Sequence, residues 1–339
     1  MIIMKGLLLA GGKGTRLRPF TYNHAKQLLP IANKPTIFYA IEDLKSAGIT
    51  DIGLIVGHDK KRVRQIKNAL GDGSKFGVKF TYLFQEKPLG TAQTILIAEK
   101  FLGDDPFVMH VGDNILQFGI REYATKFEKS NYDAGLLFAK SRKPEQLGTA
   151  IIKNGRIVGV EKKPKNPKSN LVSVGVLFFR RAIFGIVKTL KMSPRGELEM
   201  EDAMNILLSG NYNIMTCVLK GWWKDIGFPD ELIEANKFVL KSKKVKISIG
   251  KGTSIDKKTK IGSPVAIGKG CKIGPKTSIG PYVSIGNGCK ISNSSIRNSI
   301  LFDNSTVDSL KISNSIVGYN ARLTKNSKKG DFYNCNLIL

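Results

Sequence analysis

A glycine-rich loop close to the start of the chain carries the first residues whose types and spacing could do chemistry. The segment from Gly11 to Arg16 has the sequence GGKGTR and follows a short apolar run. Backbone N–H groups of successive glycines can converge on one anion, and an arginine adds a planar fork of donors for phosphate oxygens. The glycine order matches neither the P-loop nor the dinucleotide-binding fingerprint. We therefore expect a polyphosphate site formed by Gly11, Gly12, Gly14, Thr15 and Arg16.

Segments of strand and helix character alternate from about residue 2 to residue 236. The strand candidates are Gly6–Ala10, Asp51–Val56, Lys79–Phe84, Phe107–Val111, Ala134–Ala139 and Val174–Phe179. The helix candidates are Thr36–Ala47, Lys60–Leu70, Thr91–Phe101, Ile120–Lys129 and Glu231–Leu240. Such alternation is typical of a layered α/β domain with parallel βαβ units, whose ligands bind beyond the carboxyl ends of the strands. We therefore expect the site in the loops after Ala10, Phe84 and Val111.

From residue 249 onward, isoleucine recurs at every sixth position and glycine follows most of these isoleucines. The series comprises Ile249, Ile255, Ile261, Ile267, Ile273, Ile279, Ile285 and Ile291. A period of six fits neither a helix nor an ordinary strand, and it is the hexapeptide repeat of a β-helix. We expect the isoleucines to fill the interior and the glycines to form the corners. The pattern loosens after Asn293, and a lysine cluster comprising Lys241, Lys243, Lys244 and Lys246 predicts a linker before the first coil.

The chain carries 54 Lys and Arg against 27 Asp and Glu, a net charge of +27. This balance favours anionic ligands, of which nucleic acid is one class. However, the sequence contains no known nucleic-acid module, and only 8% of its residues are aromatic. We therefore expect small-molecule partners and no nucleic acid, with most lysines on a solvated surface.

The remaining composition predicts a cytoplasmic protein with reduced thiols. No apolar run is long enough to span a bilayer, and a buried first strand explains the apolar opening residues better than a signal peptide. The cysteines Cys217, Cys271, Cys289 and Cys335 contain no CxxC pair, so neither a zinc site nor a disulfide framework is expected. Cys271 and Cys289 fall on the small-residue register of the repeat, where we expect them to fill the core.

Lys26-Gln27, followed by Leu-Leu-Pro-Ile and by Lys34-Pro35, extends the glycine-rich loop into a longer motif. The whole segment closely resembles the nucleotide-binding signature of the sugar-1-phosphate nucleotidylyltransferases. The glutamine after the lysine resembles the glucose-1-phosphate thymidylyltransferases, and the long repeat resembles their long form. Further segments that match the family are Gln85 with Pro88–Gln93, Gly112-Asp113-Asn114, Gly148, Glu161–Pro164, Arg195–Glu199 and Trp222–Gly227.

The resemblance implies a fold as well as a reaction. The implied fold is a Rossmann-like mixed sheet over residues 1–240, followed by a left-handed parallel β-helix over residues 244–339. In the implied reaction, a sugar 1-phosphate oxygen attacks the α-phosphorus of a nucleoside triphosphate in line, and pyrophosphate leaves. The nucleophile is already an anion, so the reaction requires positioning and charge neutralisation rather than a general base. The implied substrates are dTTP and glucose 1-phosphate.

The resemblance also implies a role for each matched residue. Mg²⁺ is the implied cofactor, held by the carboxylates of Asp113 and Asp225, because hard oxygen ligands suit that ion. The catalytic cations are Arg16 and Lys26 for the triphosphate and Lys163 for the sugar phosphate. The nucleotide side also includes Gln27, Gln85 and Gly90, and the sugar-phosphate side includes Gly148, Glu161 and Arg195.

The sequence departs from the family pattern around the sugar. Lys162 stands where the family has a glutamate, with Glu161 one place earlier, and Leu147 replaces an aromatic residue before Gly148. Phe228 stands where threonine is common. These changes weaken the assignment of glucose more than the assignment of the reaction.

Three alternatives remain open at the level of the sequence. The enzyme could use UTP, alone or besides dTTP, with glucose or N-acetylglucosamine 1-phosphate, because one methyl group discriminates by only about 1–3 kcal/mol. An acetyltransferase activity of the β-helix would need a histidine base, and none follows His110. A non-catalytic regulatory relative would have lost Arg16, Asp113 and Asp225. Because β-helix faces tend to associate, we also expect a homo-oligomer formed partly through residues 244–339.

Overall fold

The computed structural model describes residues 4–242, 246–330 and 332–333. Contacts group the chain into two compact units: Met1–Gly12 with Ile37–Asp225, and Lys13–Thr36 with Ile226–Leu339. This grouping differs from the predicted pair 1–240 and 244–339, because the glycine-rich loop and the connecting helix group with the repeats. The predicted boundary itself stays a prediction. Lys243, Lys244 and Cys335 lie outside the described residues.

Thirteen strands precede the repeats in the described part of the chain. They are β1 Lys5–Leu9, β2 Pro30–Ile31, β3 Lys34–Pro35, β4 Asp51–Val56, β5 Lys79–Phe84, β6 Phe107–Val111, β7 Asn114–Leu116, β8 Ala134–Lys140, β9 Gly148–Lys153, β10 Arg156–Lys162, β11 Leu171–Phe179, β12 Ile214–Val218 and β13 Trp223–Asp225. All six predicted strands are present, with ends shifted by up to three residues.

The first unit is built on a nine-stranded mixed sheet in the order β10-β9-β11-β6-β1-β4-β5, with β8 paired to β11 and β12 to β8. The strands β6, β1, β4 and β5 are mutually parallel, and β11 pairs antiparallel with β6. The three leucines Leu7, Leu8 and Leu9 of β1 are all buried. A continuous apolar run of this kind is typical of a central parallel strand covered on both faces.

Eight helices occur among the described residues, and none is long and apolar enough to cross a membrane. They are α1 Thr36–Ser46, α2 Lys60–Leu70, α3 Gln93–Ile97, α4 Glu99–Leu102, α5 Arg121–Glu128, α6 Ala182–Thr189, α7 Met200–Ser209 and α8 Pro229–Ser242. The helix predicted over Thr91–Phe101 is in fact two short helices separated at Ala98. The predicted connecting helix corresponds to α8 and is longer at both ends.

The repeats form three sheets of short strands that stack coil upon coil, the arrangement expected of a left-handed β-helix. The strands are β14 Ile247–Ile249, β15 Ser254–Ile255, β16 Lys260–Ile261, β17 Val265–Ile267, β18 Lys272–Ile273, β19 Ser278–Ile279, β20 Val283–Ile285, β21 Lys290–Ser292, β22 Ser295–Arg297, β23 Ile300–Leu301, β24 Thr306–Asp308, β25 Lys311–Ser313, β26 Ile316–Val317, β27 Arg322–Thr324, β28 Ser327–Lys329 and β29 Phe332–Tyr333. Pairing is parallel except for β28 and β29 at the end.

The interior of the β-helix confirms the hexapeptide interpretation except in its first coil. The isoleucines from Ile267 to Ile291 are buried, and Cys271 and Cys289 are fully buried core residues, as predicted. Ile247 and Ile249 are 40% and 50% exposed. They pair in register with the buried Val265 and Ile267, but no coil precedes them in the described part of the chain.

The loosening of the pattern after Asn293 is a change in coil length. Val265 pairs with Val283, 18 residues later, whereas Ile300 pairs with Ile316, 16 residues later. Shorter coils require tighter corners, and the left-handed backbone conformation (φ 41–60°) is adopted there mainly by asparagines. Asparagine tolerates this conformation better than most residues. The corner residues are Asn293, Asn298, Asn304, Ser309, Asn314 and Asn320.

The glycine-rich segment 13–36 packs on the β-helix within the second unit. The ring of His24 stacks on Tyr319 at 4.1 Å, and Phe20 contacts Phe302 edge-on at 5.4 Å. Asn33 Nδ2 donates a hydrogen bond to the carbonyl oxygen of Ile285 at 2.8 Å. The β-helix therefore supports the segment that carries the predicted phosphate-binding residues.

Helix α8 connects this segment to the β-helix through one buried side chain. Asn236 Oδ1 accepts hydrogen bonds from the backbone N–H of Ala32 at 2.9 Å and from the hydroxyl of Ser284 at 2.5 Å. Buried amides of this kind are costly to leave unpaired, so the three elements are fixed together.

Candidate functional site

The two predicted metal ligands of the first unit meet at one asparagine. Strands β7 and β13 pair antiparallel, which places Asn114 opposite Asp225. Asn114 Nδ2 lies 3.5 Å from Asp113 Oδ1 and 3.2 Å from Asp225 Oδ1. One amide group therefore holds two carboxylates that lie 111 residues apart in the chain.

The other end of the Asn114 amide is fixed as firmly. Its Oδ1 accepts hydrogen bonds from the indole Nε1 of Trp223 at 2.7 Å and from the backbone N–H of Gly175 at 3.2 Å. Asn114 is only 3% exposed, so its orientation is set by these four partners. Sequence reasoning placed Asn114 in the motif but gave it no role; its position next to Asp113 was the available signal.

The carboxylate pair fits a magnesium ion. Mg²⁺ in nucleotide enzymes is usually held by one or two carboxylates together with substrate phosphates. The described residues contain no group of three or more His, Cys, Asp or Glu side chains that could hold a metal without help. Asp113 and Asp225 are therefore suited to an ion that completes its coordination with oxygen atoms of the substrate.

The predicted base-recognition loop is closed by hydrogen bonds within the first unit. Gln85 Nε2 donates to the carbonyl oxygen of Gly90 at 3.2 Å and to Gln93 Oε1 at 2.9 Å. Gly90 has φ 99°, and a Cβ atom there would lie 2.2 Å from the carbonyl oxygen of Leu198. Only glycine fits this position, which explains its place in the motif.

Gly11 lies beside this loop, at the carboxyl end of β1. A Cβ atom on Gly11 would lie 3.3 Å from Gln85 Oε1 and 3.4 Å from the backbone nitrogen of Gly57, the residue that follows β4. The structure therefore brings the predicted residues Gly11, Gln85 and Gly90 together beyond the carboxyl ends of adjacent parallel strands, where ligands of such sheets bind.

On the predicted sugar side, Lys162 takes part in a network of charged groups. Its ammonium pairs with the carboxylate of Glu199 and lies 3.6 Å from Glu201, while Arg195 donates to Glu199 at 2.6 Å. Burial raises the pKa of Glu199, but hydrogen bonds from Lys162 and Arg195 outweigh it and lower the pKa below its ordinary value. Gly148 borders the network, because a Cβ atom there would lie 3.1 Å from Glu201 Oε1.

The structure does not bring Glu161 into this network. Glu161 is exposed, and alternation along β10 directs it to the face opposite that of Lys162. Lys163 is also exposed; it follows the strand with φ 46°, and its backbone N–H donates to the carbonyl oxygen of Leu147 at 3.0 Å. Glu199 and Glu201, which sequence reasoning did not assign, supply the carboxylates next to Gly148 instead.

The second unit holds the other predicted nucleotide residues. Gly14 has φ 66° and precedes a short 3₁₀ turn formed by Thr15–Leu17. A Cβ atom on Gly14 would lie 2.7 Å from the Cβ of Lys26, which begins a second turn with the buried Gln27. The two turns are therefore in close contact. Gly12 and Thr15 are exposed.

Arg16 is held by residues that follow the second predicted aspartate in sequence. Its guanidinium lies over the ring of Phe228, 4.5 Å from the centroid, and beside the backbone of Gly227. Glu231 accepts hydrogen bonds from the N–H groups of Gly227 and Phe228 at 2.7 and 2.8 Å, and burial raises its pKa. Phe228, a departure from the family pattern, thus serves as a platform for the arginine.

Comparison with known proteins gives one match over most of the chain. Residues 5–242 match the family described as nucleotidyl transferase, and residues 261–329 match the GMPPB C-terminal domain. The low-salt glycan biosynthesis nucleotidyltransferase Agl11 of Haloferax volcanii is 46% identical over 244 residues, which are 72% of this chain and 68% of the relative.

Two further comparisons involve thymidylyltransferases. The glucose-1-phosphate thymidylyltransferase of Streptomyces antibioticus is 45% identical over 239 residues, so that this chain spans 66% of its length. A crystal structure of a candidate glucose-1-phosphate thymidylyltransferase from Bacillus anthracis, in complex with a sucrose, superposes with a TM-score of 0.66 at 40% identity. The superposition covers 69% of this chain and 94% of that chain.

Replacing the central amide tests whether it separates two carboxylates. Asn114→Asp places a third carboxylate beside Asp113 and Asp225, which raises the pKa of the new group. A raised pKa makes stability highest at low pH and lowers it as pH increases. Between about pH 5 and about pH 8, we expect Asn114→Asp to lose about 1–3 kcal/mol more than the parent chain, measured by urea unfolding.

The matched control is Asn205→Asp. The Asn205 amide also makes two hydrogen bonds, both to the backbone of Val160 at 2.7 and 2.9 Å, away from the carboxylate pair. Its substitution should lower stability without the added pH dependence. Equal pH profiles for the two variants would contradict the geometry described for Asn114.

Proposed function

Because the chain belongs to the nucleotidyl transferase family, we propose that it joins glucose 1-phosphate to the nucleoside monophosphate of dTTP, forming dTDP-glucose and pyrophosphate. Its family and relatives support nucleotidyl transfer to a sugar 1-phosphate as the reaction class. The choice of dTTP, glucose and Mg²⁺ is the finer part of the proposal.

The observation that carries the proposal is the meeting of Asp113 and Asp225 at the Asn114 amide. A bound Mg²⁺ would neutralise triphosphate charge there. The chain's own contribution is to hold two like charges close together before substrate arrives, at a position fixed by Trp223 and Gly175. Preorganised charge of this kind is the main source of catalysis where the nucleophile needs no activation.

Arg16 and Lys26 are proposed to hold the triphosphate. Stacking on Phe228 restricts the Arg16 side chain while leaving it exposed, so its planar donors are available to phosphate oxygens. Lys26 lies against Gly14 in the adjacent turn. Gly11, Gly12 and the turn after Gly14 would add backbone N–H groups.

Gln85 is proposed to read the base. Both donors of its amide nitrogen are used within the loop, by Gly90 and Gln93. Its Oε1, beside Gly11, remains an acceptor for an imide N–H, which thymine and uracil both carry and cytosine lacks. This arrangement supports dTTP or UTP and does not separate them.

Glu199 and Glu201 are proposed to replace the family glutamate in contacting sugar hydroxyls. Lys162 and Arg195 keep the Glu199 carboxylate ionised, and ionised carboxylates are strong acceptors for hydroxyl donors. Lys163, exposed at the end of β10, is proposed to contact the sugar phosphate. The altered residues leave N-acetylglucosamine 1-phosphate as the alternative acceptor and UTP as the alternative donor; the cytosolic location stays a prediction.

A substrate matrix tests the function. Pyrophosphate release would be measured with Mg²⁺ and each triphosphate against glucose, N-acetylglucosamine, galactose and mannose 1-phosphates. The highest kcat/KM is expected for dTTP with glucose 1-phosphate. A higher value for another pair would keep the reaction class and reject our substrates. Absence of pyrophosphate from every pair, with a folded protein, would favour the non-catalytic alternative.

Arg16 and Arg18 provide a matched pair of variants. Arg18 is exposed and lies over Tyr22 at 5.0 Å, much as Arg16 lies over Phe228. We expect Arg16→Ala to lower kcat by roughly 10²–10³-fold, as for loss of one donor to the transition state. Arg18→Ala should change kcat little. Similar losses in both variants would remove the proposed role of Arg16.

We propose further that copies of the chain associate through the open end of the β-helix. The exposed Ile247 and Ile249 face the same way as the interior residues of the next coil. Ile247→Lys with Ile249→Lys is expected to lower the sedimentation coefficient. The control is Ile152→Lys with Val158→Lys, which alters two exposed apolar residues of the first unit. An unchanged sedimentation coefficient in the first variant would reject this interface.

A further inference from the structure

A cavity of about 390 Å³ lies between α8 and a corner of the β-helix, wholly within the second unit. Its volume is in the range of small-molecule sites. Lys237 of α8 lines one side, and three successive coils line the other. None of its lining residues belongs to the candidate site described above.

The charge of the cavity is positive. Lys237 and Arg297 both line it, and both are exposed. No carboxylate occurs among the lining residues in the described part of the chain. Two cations that face one small space, without a counter-charge in its walls, favour an anionic occupant, and a phosphate group can accept hydrogen bonds from both.

Tyr282 occupies a position in the cavity wall that its backbone disfavours. The register of the coils places Tyr282, Asn298 and Asn314 at the same corner, with φ of 64°, 41° and 51°. Asparagine tolerates the left-handed region, whereas a bulky residue pays roughly 1–2 kcal/mol for it. The Tyr282 ring nevertheless lies there, 5.2 Å from the Lys237 ammonium.

Asn298 leaves one acceptor of the wall unused. Its Nδ2 donates to Asn314 Oδ1 at 2.6 Å. Its Oδ1 is buried and receives no hydrogen bond from any of the described residues. A buried acceptor without a donor costs about 1–3 kcal/mol. A hydroxyl group that reaches this wall would supply the missing donor.

We propose that this cavity binds a phosphorylated sugar. The phosphate lies between Lys237 and Arg297, the sugar ring lies against Tyr282, and a sugar hydroxyl donates to Asn298. The site is separate from the proposed nucleotidyl transfer and does not depend on it, because its residues take no part in that reaction.

The test is isothermal titration of the full chain with glucose 6-phosphate, which lacks the anomeric phosphate used in the proposed reaction. Neutral glucose is the matched probe and should not bind. Lys237→Gln with Arg297→Gln should weaken binding at least about tenfold, through loss of two charge-assisted hydrogen bonds. Lys272→Gln with Lys290→Gln, the same charge change on exposed strand positions, should leave binding unchanged.

Two further variants separate a folding defect and substrate-site binding from the proposal. Tyr282→Asn gives this corner the residue of the next two coils, so thermal stability should be kept while binding weakens several-fold. Arg16→Ala should leave glucose 6-phosphate binding unchanged. Loss of binding in Arg16→Ala, or retention in the Lys237 and Arg297 double variant, would overturn the proposal whether or not the chain releases pyrophosphate.

Discussion

The two carboxylates of the first unit repel each other, and the Asn114 amide resolves this conflict. Its nitrogen donates toward both Asp113 and Asp225, and its oxygen accepts from Trp223 and Gly175. Four partners from separate strands thus determine one side-chain orientation. Without it, two like charges a short distance apart would favour protonation of one of them, and the pair would be a weaker ligand for a divalent cation. The pairing of β7 with β13 exists in the structure to bring these groups into register.

A comparable constraint acts in the second unit, where aromatic side chains fix the segment that carries Arg16. His24 stacks on Tyr319, Phe302 packs against both Tyr319 and Phe20, and burial raises the pKa of Tyr319. These rings belong to the glycine-rich segment and to late coils of the β-helix. The β-helix is therefore a structural support for the predicted phosphate-binding residues as well as a separate repeat domain.

Features that depend on local pattern could be predicted from the sequence. The strands of the central sheet follow from apolar runs, and the β-helix follows from a period of six, which only stacked coils explain. The burial of Cys271 and Cys289 follows from that same register. Gly90 could be identified from its motif, and the structure supplies the reason, a close approach to the backbone of Leu198.

Features that depend on contacts between distant residues could not be predicted. Nothing local indicates that Lys162 pairs with Glu199, or that Phe228 supports Arg16. The exposure of Ile247 was missed because periodicity describes a residue's direction and not whether a coil lies beyond it. The shift to 16-residue coils was seen only as loss of pattern, since the sixfold template has no place for a shortened corner.

The grouping of residues 13–36 with 226–339 has a consequence for recombination between relatives. A chimera joined only near residue 240 would keep the glycine-rich segment of one parent on the β-helix of the other. His24, Asn33 and Ala32 would then face unfamiliar partners in place of Tyr319, Ile285 and Asn236. The unit of inheritance for this support is discontinuous, so exchangeable modules are formed by two stretches of sequence rather than by one.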